Sequence, residues 1–327
     1  MGKKKKAVGL ISGGLDSILS LYLVKQQGFH ITGIYILTPF VSGFGEKTLK
    51  NLKKFSDCAG FKLMVIETDD DYLDIVKHPR YGYGRNINPC IDCHIYMLKK
   101  AKKVMEEESA DFVFTGEVLG QRGKSQTKNA LRLVEKGALL EGRLLRPLSA
   151  LLLPPTIAEI EGIVDRNKLL AIEGKTRSVQ LSLVEQQKLT YYQTPAGGCL
   201  LTEKGFCQRL SDLIDNKPDA CKDDYLLLQL GRHFRISSDT KVVVSRDESE
   251  SIKMAVLVGK DKYLISSPEM PGIMAIVDGK LNHLALEIFA SYASKKTIEV
   301  CITKGSSYVL TKTVIGKSKF EYHKYLL

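Results

Sequence analysis

Ala7-Val8-Gly9-Leu10-Ile11-Ser12-Gly13-Gly14-Leu15-Asp16-Ser17 is the stretch on which the fold turns. Its first five residues are a short, unbroken apolar run, which reads as a strand buried on both faces. The glycine pair punctuates that run, and Ser17–Gln27, closed by Gly28, reads as the helix that follows. Adjacent glycines let the backbone turn tightly and bring its N–H groups close to an anion. A helix starting near Asp16 adds its positive end, and Ser12 and Ser17 add hydroxyl donors. No lysine follows the glycines, which separates this loop from the Gly-rich, Lys-Ser/Thr-ended loop of common ATPases. Ser12, Gly13, Gly14, Asp16 and Ser17 are therefore candidate phosphate-binding residues.

The same alternation continues outward. His30–Leu37, Phe61–Thr68 and Ala110–Thr115 read as further strands, Lys47–Ala59 and Cys93–Glu107 as helices between them. This spacing implies an α/β fold, a doubly wound parallel sheet with helices on both faces. Crossovers in such sheets are right-handed, and ligands bind beyond the carboxyl ends of the strands. The last hundred residues differ. Lys241–Ser245, Ala255–Gly259, Tyr263–Ser266, Ile273–Val277, Thr297–Thr303 and Tyr308–Val314 read as strands, with a helix at His283–Ser294. That is a smaller α+β module, and the expected division is 1–224 and 225–327.

Composition narrows the class. With 44% hydrophobic and 26% charged residues the 327-residue chain is ordinary globular material, not a disordered one. No apolar run approaches the roughly 18–20 residues of a membrane span, so a cytoplasmic location and no membrane partner are expected. Lys and Arg exceed Asp and Glu by 48 − 37 = 11, which suits a polyanionic partner. Seven cysteines, an odd number, argue against a disulfide scaffold in that compartment.

Three of those cysteines stand in unusual surroundings. Cys90 and Cys93 lie in Asn88-Pro89-Cys90-Ile91-Asp92-Cys93-His94, at a helix start that projects both the same way and lowers their thiol pKa values. Cys199 follows Thr194-Pro195-Ala196-Gly197-Gly198, whose glycines suggest a loop. Three thiolates with an open fourth position suit a 4Fe-4S cluster with one free iron, or zinc if His94 completed the shell. A persulfide carrier with a resolving thiol, and plain packing, are the other readings. A third segment, Thr115-Gly116-Glu117-Val118-Leu119-Gly120-Gln121-Arg122 with Ser125-Gln126-Thr127 and Asn129, follows the fourth strand and so lies at the same end of the sheet as the first loop. Gly116 and Gln121 are its candidate nucleotide contacts.

Ser-Gly-Gly-Leu-Asp-Ser at 12–17 resembles the pyrophosphate loop of PP-loop ATP pyrophosphatases, of the adenine nucleotide alpha hydrolase type. Taken with the segment from Thr115 to Asn129 and with Leu145-Arg146-Pro147-Leu148, the order resembles the catalytic domain of 4-thiouridine tRNA synthetases. Asn88-Pro89-Cys90 followed by Gly198-Cys199 resembles the two-cysteine arrangement of tRNA 2-thiouridylases. The resemblance implies a tRNA sulfurtransferase: ATP adenylates a uridine carbonyl oxygen, and sulfur then displaces AMP. It implies ATP and Mg2+ as cofactors, Asp16 positioning the magnesium-bound phosphates, and Cys199 as the catalytic cysteine. Cys90 and Cys93 with Cys199 match the subset that carries a 4Fe-4S cluster. The partners implied are tRNA and a sulfur donor, either sulfide or a cysteine-desulfurase persulfide.

The catalytic loop begins at residue 12 of this sequence, so the RNA-binding modules that usually precede it in the family, and a rhodanese-like carrier after it, are not expected. Instead Leu230-Gly231-Arg232-His233-Phe234-Arg235, followed by Lys241–Arg246, is similar to the RNA-binding domain of NFACT-type proteins. Arg232, Arg235, Lys241 and Arg246 are the expected phosphate contacts, the alternative being a basic dimerisation module that would make a homodimer. Two other functions stay open: an ATP pyrophosphatase acting on a small carbonyl compound, and a non-catalytic nucleotide- and RNA-binding protein.

Overall fold

The computed structural model describes residues 5–189, 192, 199–305 and 307–327. It divides into two compact units, Met1–Thr202 and Glu203–Leu327.

The first unit runs β1 (Lys6–Leu10), α1 (Leu15–Lys25), β2 (His30–Leu37), α2 (Glu46–Ala59), β3 (Lys62–Glu67), α3 (Asp70–Lys77), α4 (Cys90–Glu107), β4 (Phe112–Thr115), α5 (Lys128–Gly137), β5 (Leu144–Leu145), α6 (Ile157–Ile160) and α7 (Ser178–Gln186). Its five strands pair in the order β3-β2-β1-β4-β5, every pair parallel. The expected doubly wound sheet is present. Neighbouring residues of β1 face opposite layers. Ala7 packs with Ile18, Leu21 and Val24 of α1 and Leu52 and Phe55 of α2. Val8 packs with Ile95, Leu98 and Ala101 of α4 and Val134 of α5. Burying each such aliphatic side chain contributes about 1.5–3 kcal/mol, and this two-sided burial is why the strand reads as an unbroken apolar run. Chain direction reverses its progress across the sheet between β1 and β4. The carboxyl ends of these two strands therefore form the crevice where such sheets bind ligands.

The second unit runs α8 (Lys204–Asn216), α9 (Lys222–Leu227), β6 (Arg232–Ser237), β7 (Thr240–Val244), α10 (Glu248–Leu257), β8 (Tyr263–Ser266), β9 (Met274–Gly279), α11 (His283–Ala290), β10 (Thr297–Lys304) and β11 (Ser307–Ile315). Its six strands form an antiparallel sheet, order β11-β10-β8-β9-β7-β6. The division falls after Thr202, not at the expected 224/225. Ion pairs explain this. Asp212 of α8 binds Arg235 and Lys241, and Asp224 of α9 binds Lys262 and Lys217, so both helices belong to this unit.

Ala255–Gly259, expected as a strand, lies largely within α10. Asp247 caps that helix by accepting from Glu250 N at 2.9 Å, and Ser251, Met254 and Leu257 bury at three-residue spacing. No helix among the described residues is long and apolar enough to cross a membrane.

Candidate active site

The loop between β1 and α1 has the geometry of an anion cradle. Gly13 takes φ +78°, a left-handed conformation that glycine adopts freely. The residue before α1 is Gly14, so no side chain caps the helix and its first N–H groups point outward unpaired by a cap. Ser17 is buried, its hydroxyl donating to Gly14 O at 2.9 Å, with Ser12 Oγ 3.3 Å away.

The opposite wall comes from β4. A Cβ added at Gly116 would lie 2.5 Å from Ser17 N and 2.6 Å from Asp16 C. Gly116 is thus the residue that lets the β4 turn close onto the first turn of α1. The next residue, Glu117, is buried. Its carboxylate accepts from Arg146 Nε at 3.0 Å, Thr115 Oγ1 at 3.1 Å and His94 Nδ1 at 2.9 Å. Burial by itself pushes its pKa upward. The Arg146 and His94 contacts outweigh that and hold it at about 2, so the group is a carboxylate at any physiological pH. Arg146 also reaches Glu135 at 3.1 Å and Leu131 O at 3.0 Å. The Leu-Arg-Pro-Leu motif therefore supplies the central cation of a buried network.

That network leads to the cysteines. His94 immediately follows Cys93, and α4 begins at Cys90, three residues earlier than the sequence reading, so both thiols stand in its first turn. Asp92 anchors the preceding loop, accepting from Arg80 N and Tyr81 N at 3.2 and 3.1 Å. Cys93 is held by Tyr72, whose hydroxyl lies 3.3 Å from its Sγ. Cys199 returns to the same region: Leu200 N donates to Phe40 O at 3.1 Å and Asn86 Nδ2 to Thr202 O at 2.7 Å. Cys93 accordingly feels the charges of both Cys199 and Cys90, and Tyr72 feels those of Cys93 and Cys199. The glycine loop Thr194–Gly198 lies outside the described residues.

The expected lowering of the two thiol pKa values at the helix start is overturned. Burial pushes Cys93 up to about 12, with only the Tyr72 hydrogen bond opposing it. Burial also raises Cys90, although Arg122 and Lys124 of the β4 loop work the other way. Dehydration beats the helix end here. Glu117 takes only the Nδ1 of His94, the usual second partner of a metal-bound imidazole, so that contact does not decide against zinc. Among the described residues no three His, Cys, Asp or Glu side chains gather tightly enough for a single metal ion. A polynuclear cluster spreads its thiolates wider than one ion does, one to each iron, and three soft thiol donors fit that group in kind, with the Asp92 carboxylate turned to the backbone of Arg80 and Tyr81.

Two site residues escaped the sequence reading. On and just before α7, Gln180 Nε2 lies 3.4 Å and Arg177 Nη2 3.8 Å from the Asp16 carboxylate. Gln180 is fully buried, yet its Oε1 has no hydrogen-bond partner, and Gln121 Nε2 and Gln126 Oε1 are orphaned likewise. Unmet buried amides cost about 1–3 kcal/mol each, which marks this region as shaped for a polar occupant. Only the fold could have found Gln180, 164 residues from its partner.

The RNA-binding expectations fare differently. Arg235 and Lys241 are taken up by the buried carboxylate of Asp212, at 2.7 and 2.8 Å, and so are not available to phosphates. Arg246 pairs with Glu250 at 2.6 Å, and Arg232 lies over the Tyr292 ring and donates to Ser245 O.

Comparison with known proteins agrees with the motifs. Residues 2–152 match the family model described as thiamine biosynthesis protein (ThiI), and residues 231–321 match the NFACT protein RNA binding domain. A tRNA-specific 2-thiouridylase MnmA of Sulfurimonas denitrificans is 33% identical over 129 residues, 37% of this chain and 36% of that protein. A probable tRNA sulfurtransferase of Thermococcus kodakarensis is 25% identical over 200 residues, 58% and 46% of the two chains. The chain thus spans less than half the length of these relatives. Among solved structures, a 4-thiouridine synthetase–RNA complex with bound ATP aligns at 25% identity over 56% of this chain and 50% of that one, TM-score 0.36. The U34-tRNA thiolase NcsA of Methanococcus maripaludis with its 4Fe-4S cluster aligns at 18% identity over 70% and 71%, TM-score 0.37. The resemblance to tRNA thiouridine synthetases, with an NFACT-type RNA-binding segment, is borne out.

Proposed function

We propose that this chain, similar over residues 2–152 to ThiI and over 231–321 to an NFACT RNA-binding domain, is an ATP-dependent tRNA thiolase. One observation carries the reading: Gly116 closes on Asp16 and Ser17, Glu117 binds His94, and His94 adjoins Cys93. A phosphate cradle and a thiol cluster are thereby tied through three consecutive contacts within one unit.

The chemistry follows from the leaving group. A uridine carbonyl oxygen attacks the α-phosphorus of ATP and pyrophosphate departs; sulfide-level sulfur then adds to the activated carbon, and AMP leaves with the oxygen. The uncapped start of α1, with Ser12, Gly13, Gly14 and Ser17, receives the phosphates, and Gln121 and Gln180 offer unpaired amide atoms to the nucleotide. Asp16 would hold Mg2+, with Arg177 beside it. Cys90, Cys93 and Cys199 would hold a 4Fe-4S cluster, which would supply Lewis-acid binding of the incoming sulfur. A thiol must lose its proton for either role, so Cys93, pushed up to about 12 by burial, would need the charge of a bound metal to ionise near neutral pH. The target uridine reaches such a site most readily when flipped out of its stack. The working partners are tRNA and a sulfide or persulfide donor, in the cytoplasm.

The test is anaerobic reconstitution followed by incubation with ATP, sulfide and a tRNA transcript. Thiouridine and AMP should form in equal amounts, both dependent on tRNA, with absorbance near 400 nm in the loaded protein. AMP release that ignores tRNA would instead support an adenylating enzyme for a small carbonyl substrate.

A further inference from the structure

With Arg235 and Lys241 spent on Asp212, the basic character of the second unit has to act elsewhere. Where the end of β11 meets the turn between α11 and β10, an open pocket of about 460 Å³ is lined by Ser294, Lys295, Lys296, Lys317, Ser318 and Glu321, among others. We infer that this pocket is a phosphodiester-binding site that grips the RNA backbone without reading bases. This deepens the proposed function, since the polyanion is taken to be tRNA.

The pocket is built rather than accidental. Gly316 N donates to Lys296 O at 2.7 Å, so the two lysine-bearing segments are clamped across from one another. A Cβ at Gly316 would stand 2.5 Å from Ala290 O, and only glycine lets β11 press this close to the end of α11. Lys295 and Lys296 are exposed, and Lys317 is 53% exposed with its ammonium a loose 3.7 Å from Glu287. Three lysines against Glu321 leave the lining cationic, and Ser294 and Ser318 add exposed hydroxyls. Among the described residues its lining carries no aromatic ring for a base to stack on. Lysine point charges with hydroxyl donors and no ring suit phosphate contacts, which position RNA and carry no sequence information.

Lysines after the carbonyl end of α11 would also offset its negative pole, and the experiment separates the two roles. The full chain carrying Lys295→Gln, Lys296→Gln and Lys317→Gln together is titrated with a tRNA transcript across a salt series. The slope of log affinity against log salt should fall by about 1 for each lysine, and affinity at low salt by about tenfold or more, with Tm and ATP affinity unchanged. Unchanged affinity and slope overturn the pocket, as does a lowered Tm with affinity intact, the signature of a purely dipole-offsetting role. A chain that binds tRNA through these lysines yet never thiolates it would leave the pocket standing and sink the thiolation reading. Thiolation with full affinity in the triple variant would do the reverse.

Discussion

Gly116→Ala puts the site's geometry under direct strain. The added methyl would lie 2.5, 2.6 and 2.7 Å from Ser17 N, Asp16 C and Ser17 Cα, whereas ordinary contact begins near 3.4 Å. Relief therefore needs a displacement of 3.4 − 2.5 = 0.9 Å. All three neighbours are backbone atoms of the first turn of α1, so no side chain can swing aside. Overpacking of this kind costs about 1–3 kcal/mol, which lowers Tm by about 2–12 °C in a unit of this size. Function should suffer far more, because misplacing reacting groups by about 1 Å costs on the order of a hundredfold. Calorimetric titration with ATP, tRNA-dependent AMP release and a thermal melt measure the three effects side by side. Gly123→Ala, where nothing lies within 4 Å of the added methyl, is the matched control and should be silent. If Gly116→Ala bound ATP and turned over like Gly123→Ala, the close approach of β4 to α1 would not be what builds the phosphate site.

Asp16→Asn should abolish ATP-dependent turnover while leaving Tm near that of the parent protein; normal AMP release would remove Asp16 from the site. Glu117→Gln removes one of the two carboxylates on buried Arg146, leaving Glu135, and should cost about 1–3 kcal/mol in urea unfolding at pH 7. Because the folded pKa of Glu117 is depressed to about 2, its contribution is complete above about 4.5 and should be lost, about 3 kcal/mol in all, as pH falls from there toward 2; a variant with the same acid dependence as the parent contradicts this. Alkylation at pH 8 should label exposed Cys58 and Cys221 well before Cys93, whose thiol is pushed up to about 12, and equal rates by mass spectrometry would refute that environment. Asp212→Asn leaves Arg235 and Lys241 without a carboxylate and should destabilise the second unit by about 3–5 kcal/mol; an unchanged melt would make both cations available to RNA again.

Legibility followed sequence locality. The Ser12–Ser17 loop and the strands around it can be read because their signals, an apolar run and a glycine pair, are complete within a dozen residues. Ala255–Gly259 misleads because Val256 and Val258 favour strands, while the sign of a helix, the Asp247 cap, lies eight residues upstream. The strand Arg232–Ser237 hides behind its charges, which in sequence look like a nucleic-acid surface. The partner of Arg235, Asp212, sits on α8, and a charge count does not reveal a neutralised cation. The cysteine trio stands out by residue type, but the upward shift of Cys90 and Cys93 does not, since burial is a property of the fold. Arg177 and Gln180 carry no local signal at all.

The position of β1 between β2 and β4 also has a consequence for how the chain assembles. Ala7 pairs with Ile31 on one side, 24 residues away, and with Phe112 on the other, 105 residues away. By loop-closure entropy the longer pairing costs only about 1 kcal/mol more than the shorter one, so it weighs little on stability. It weighs more on the timing, because contacts distant in sequence form late. As the chain leaves the ribosome, β1, β2 and β3 can associate while one side of β1 stays bare until β4 has emerged. During that interval the Ser12–Ser17 loop exists but Gly116 has not yet closed against it, so nucleotide affinity should appear only once the longer pairing forms. A nucleotide that binds there is then a ligand of the paired β1–β4 arrangement alone, and by mass action it draws β4 into place.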